Sequence, residues 1–132
     1  LPSINPGIVV ALRFLKIAVV YLFFGALLGV VMGLRENFVL APVHAHLVLL
    51  GWASLAIAGL IYHQYPAAAK NRLAQIHFWL HNLALPVFMI GLAALLSGYP
   101  AAGPVVGISA LVVLIALGVF AANVLINIRS AD

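Results

Sequence analysis

Residues 43–66 read VHAHLVLLGWASLAIAGLIYHQYP, and this stretch decides how the chain is understood. It carries no formally charged residue and is long enough to cross a bilayer as a helix. Histidine is costly in such a setting. Yet His44 and His46 stand at one end of the run and His63 at the other. Something must compensate for them.

Working outward, uncharged apolar runs recur at 17–34, 41–65, 73–97 and about 105–128. Lys16, the pair Arg35-Glu36, the segment PAAAKNR and the loop SGYPAAGP separate them. A helix of about 20 residues spans the ~30 Å hydrocarbon core. The expected fold is therefore all-α, a single integral membrane domain (1–132) of four transmembrane helices. Short connections make consecutive helices antiparallel. Pro86 is expected to kink the third, which membrane helices tolerate. Gly25, Gly29 and Gly33 form a line of small residues on the first, open to close approach by a neighbouring helix or another subunit.

Composition agrees. Hydrophobic residues make up 67% of the 132 and charged residues 6%, against about 25% charged in a soluble domain. There is no cysteine, which excludes disulfides, thiolate metal sites, iron–sulfur clusters and c-type heme attachment. The net charge of +4 comes from six basic and two acidic residues. In so apolar a chain it reads as membrane topology and not as nucleic-acid binding. Arg13, Lys16, Lys70, Arg72 and Arg129 fall on one side of the four runs, and Arg35 beside Glu36 on the other. The positive-inside rule places both termini in the cytoplasm. His44 and His46 then lie near the outer face, and His63 roughly 26 Å further in. The first run is long for a signal peptide.

The histidines divide by spacing. His63, at a helix end, fits an interfacial side chain reaching water. His77 and His81 are four apart, share a helix face and are spaced to chelate a second metal such as copper, but without a full ligand set. His44 and His46 differ by about 200° around a regular helix and so point to opposite sides. They cannot hold one metal together. A helix wedged between two cavities, with one ligand in each, accounts for them. Heme is the large apolar cofactor that imidazoles hold within a membrane bundle.

The pattern H-x-H followed by Gly59, His63, Pro66 and then AQIHFWL resembles the tenth and eleventh transmembrane helices of heme-copper oxidase subunit I. The clear resemblance covers about 43–80; the first and fourth runs correspond by position to the ninth and twelfth helices. The second helix of the nitric oxide reductase branch is also similar, but its spacing slips by a residue. The resemblance implies that His44 matches the high-spin heme ligand and His46 the low-spin ligand. His63 and His77 match recurrent histidines that are not ligands. Subunit I has twelve helices in three arcs of four, and this chain corresponds to one arc.

Three copies would rebuild that ring, so a homotrimer is expected, with each heme between His46 of one subunit and His44 of the next. The histidine-tyrosine motif and double histidine that hold copper in the oxidases are missing. The only acids, Glu36 and Asp132, lie outside the spans, so acidic proton channels and pumping are not encoded. The expectation is a heme b protein with bis-histidine iron that transfers electrons, lying in a bacterial or archaeal inner membrane among its lipids. A quinol or a cytochrome would be its redox partner. Two alternatives stand beside it: an enzyme or gas-binding protein acting on O2 or NO, and a heme carrier or oxidase assembly partner. Arg35 is placed to pair with a heme propionate or simply with Glu36. Trp52, Trp79 and Phe78 are candidate cofactor neighbours.

Overall fold

A computed structural model of the chain describes residues 5–130. Helix α1 (Pro6–Arg35) begins well before the apolar run at 17, so Arg13 and Lys16 lie on the helix itself. Asn5 caps it, its side chain accepting from Gly7 N at 3.0 Å, and Pro6 occupies the first turn, where its missing N–H does no harm. At the far end Glu36 turns the chain left-handed at φ 50°. Its amide then bonds Gly33 O at 3.3 Å and that of Asn37 bonds Met32 O at 3.2 Å.

The second span, Ala41–Gln64, is not the regular helix expected from its sequence. It consists of α2 (Ala41–His46), a π-helical stretch (Leu47–Ala53) and α3 (Ser54–Gln64). The amide of Ser54 reaches back five residues to Leu49 O, and its hydroxyl donates to the same oxygen at 2.8 Å. Gly51 explains part of the distortion. A Cβ there would stand 2.4 Å from Tyr21 Cγ, so α1 and the π-helical turn approach as only glycine permits. Gly51→Ala is expected to destabilise the protein by about 1–3 kcal/mol, the range for an overpacked core, as measured by thermal unfolding in detergent.

After a single turn, α4 (Pro66–Ala69), helix α5 (Arg72–Leu96) runs unbroken through Pro86, and α6 (Gly103–Asn127) follows a short 3₁₀ turn. Four helices are thus long and apolar enough to cross a membrane: α1, the composite second span, α5, and α6 with its preceding turn. Their outward faces carry large apolar side chains such as Phe23, Leu83, Ile90, Ile108 and Leu125, as lipid contact demands.

Two cores lie inside. The one toward Lys70 is built around Phe14, Leu55, Tyr62 and Phe78. The one toward Arg35 is built around Val43, Leu85, Phe88 and Met89. The line of small residues on α1 serves internal packing at two of its three positions. Val48 fills the space beside Gly25 and the His44 ring that beside Gly29, while Gly33 faces nothing within 4 Å.

Candidate functional site

His44 and His46 lie on α2, just before the π-helical turn, and point to different neighbours. The His44 ring lies against α1, where a Cβ on Gly29 would come within 2.9 Å of Cε1, and its Nδ1 stands 2.7 Å from Gly25 O. The His46 ring meets the edge of Phe88 on α5 at 5.2 Å, and its Nδ1 stands 2.6 Å from Pro42 O. Both rings are half-buried.

A backbone carbonyl only accepts, so each Nδ1 must carry the proton and donate it. In the neutral form of each ring, Nε2 then keeps the lone pair. Metal-ligating histidines are held in this way, one nitrogen donating to a backbone carbonyl while the other faces the metal. One ring thus lies against α1 and the other against α5.

The other candidates are dispersed. Arg35 is exposed and lines a cavity of about 580 Å³ with Leu28, Met32, Asn37, Leu40 and Ser97. Trp52 packs against the core around Phe14, whereas His46 meets Phe88 of the other core. Phe78 is buried in the same core as Phe14, with the Arg13 guanidinium 5.9 Å from its ring centre. Trp79 is exposed on an apolar groove between α5 and α6. His63 is exposed near the end of α3.

His77 and His81 do come together, with ring centres 5.5 Å apart, and both are almost wholly buried. Each has one nitrogen engaged: His77 Nδ1 lies 2.9 Å from Tyr62 Oη, and His81 Nε2 lies 2.9 Å from Leu50 O in the π-helical turn. Among the described residues no group of three or more His, Cys, Asp or Glu side chains is gathered to hold a metal.

The sequence reading missed a buried amide cluster beside this pair. Asn123 on α6, fully buried, donates to Ala68 O at 2.9 Å and to Tyr62 Oη at 3.5 Å. Its Oδ1 accepts from Asn71 at 2.8 Å and from Asn127 at 2.9 Å. Asn71 also caps α5, accepting from Ala74 N at 3.2 Å. The available signal was Asn123 with Asn127, two amides four residues apart inside the apolar fourth run. A polar group in hydrocarbon needs internal partners.

The architecture is that of an all-helical integral membrane protein with four spans. No known protein family, curated protein or solved structure matches the chain.

Proposed function

We propose that the chain is a membrane-embedded heme b protein in which His44 and His46 ligate iron, and that it transfers electrons. The observation that carries this reading is the pair of Nδ1–H···O=C bonds to Gly25 and Pro42, which leave Nε2 of each ring as the nitrogen for ligation. The residues fit the group. Both rings are only half covered, both tautomers are set for ligation, and the surroundings are apolar.

Because the two rings lie against different helices, His44 and His46 of one chain would hold two different hemes. Bis-histidine iron therefore requires a second copy, and closed cyclic symmetry repeats that contact without leaving open ends. The likeness to one arc of heme-copper oxidase subunit I favours three copies, each heme lying between His46 of one subunit and His44 of the next. Bound heme supplies one-electron iron chemistry. The protein's part is to hold the imidazoles, cover the macrocycle with apolar side chains and offer Arg35 to a propionate. The basic residues of α1, the 70–72 connection and Arg129 belong to the cytoplasmic side in this reading, and a quinol or a cytochrome supplies the electron.

The test is an absorption spectrum of detergent-purified protein, oxidised, reduced, and reduced under carbon monoxide. Sharp low-spin reduced bands that carbon monoxide leaves unmoved are expected. A carbon monoxide shift would replace electron transfer with an open-site gas-binding or enzymatic role. A spectrum without heme bands, from cells supplied with heme, would remove the reading.

Gly29 offers a second check. Its substitution by leucine should displace the His44 ring and lower heme content severalfold. An unchanged heme-to-protein ratio would show that the seat of His44 on α1 is unimportant.

A further inference from the structure

The histidine pair in the core toward Lys70 takes no part in the proposed heme site, and its hydrogen bonds have a direction. Ala68 O can only accept, so the Asn123 group facing it is the NH2, which also faces Tyr62 Oη. Tyr62 therefore accepts from Asn123 and has its own proton free for His77 Nδ1 at 2.9 Å. His77 then carries its ring proton on Nε2, and among the described residues nothing accepts it.

His81 is set the other way. Leu50 O can only accept, so His81 Nε2 is the donor across their 2.9 Å contact, and its Nδ1 holds a lone pair. That Nδ1 is buried and has no partner. His81 is 0% exposed and His77 1%. Phe14 and Phe120 hold the His77 ring from its two neighbouring helices, with centres at 4.9 and 4.8 Å. The ring with the free N–H and the ring with the free lone pair have centres 5.5 Å apart and make no direct hydrogen bond. A buried acceptor left like His81 Nδ1 is a usual partner of internal water, which takes two to four such bonds.

We propose that one water molecule is bound between His77 and His81, accepting from His77 Nε2–H and donating to His81 Nδ1. It makes a continuous hydrogen-bonded column from Asn71 through Asn123, Tyr62, His77 and His81 to Leu50 O, linking the second, third and fourth spans. Its far end anchors the π-helical turn that follows His44 and His46. A metal ion fits the pair less well, because His77 Nε2 would first have to lose the proton that Tyr62 keeps there. This site stands independently of whether heme is bound.

The test is proton-detected solid-state NMR of protein labelled with 15N-histidine and reconstituted in lipid bilayers. Both rings are expected to be neutral with the proton on Nε2, and His77 Hε2 to receive magnetisation directly from water. In His81→Phe that transfer should fall at least threefold. Three results would overturn the proposal: a His77 proton on Nδ1, no water transfer to His77 in the wild type, or stoichiometric metal accompanied by a metal-shifted His81 Nδ1. The wild-type spectra decide the matter alone if His81→Phe does not fold.

Discussion

Replacing His46 with alanine is expected to lower bound heme by more than about tenfold, since removing even an outer partner of a ligand typically costs 10–100-fold in metal affinity. The substitution removes the Nε2 lone pair and leaves α2 otherwise intact, because His46 donates only to Pro42 O within its own turn. His44→Ala should lose heme to a similar extent, since each heme in the proposed trimer takes one ligand of each kind. It should also loosen α2 from α1, because His44 bonds Gly25 O across the two helices. His63→Ala, at an exposed site without a hydrogen bond, should bind heme as the wild type does. Heme content per subunit, read beside the mass of the assembly, checks all three. A trimer that keeps its full heme in His46→Ala would dispose of the ligand assignment.

The second large effect is expected on stability. Asn123→Leu keeps a side chain of similar size but deletes the hub that bonds Ala68 O, Tyr62, Asn71 and Asn127. Side-chain hydrogen bonds inside membranes average about 0.6 kcal/mol and reach about 1.7. Losing this set, with Ala68 O still held by Asn71 at 3.1 Å, should cost about 2–3 kcal/mol. Tyr62→Phe should cost about 1 kcal/mol, because the other amide bonds remain. Unfolding in bicelles would measure both. If the two losses were equal, Asn123 would not be the organising member of the cluster.

Of the two sites, one was open to sequence reasoning and the other was hidden from it. The H-x-H spacing alone implies opposed imidazoles, because the angle between positions two apart follows from helix geometry. Tyr62, Asn71 and Asn123 form no pattern along the chain. They lie on three different elements and meet only when the spans pack, with Asn123 reaching Tyr62 across 61 residues. The boundaries of the first span also escaped. Charges at Arg13 and Lys16 appeared to end the run, but a helix carries charges on its exposed face as long as its buried face, here Val10, Phe14 and Ala18, remains apolar.

The second span is the clearest case of structure adding what the chain order does not contain. Its apolar run is legible, but its π-helical turn depends on Tyr21 pressing against Gly51 and on His81 bonding Leu50 O from 31 residues away. The four long apolar helices and the all-helical class were thus determined by sequence alone. Hydropathy over about 20 residues, and the need to satisfy every backbone group in lipid, leave an apolar segment little other choice. Which ring nitrogen carries a proton, where the helix widens and which amides meet were decided by the tertiary structure, because each depends on acceptors brought in from distant parts of the chain.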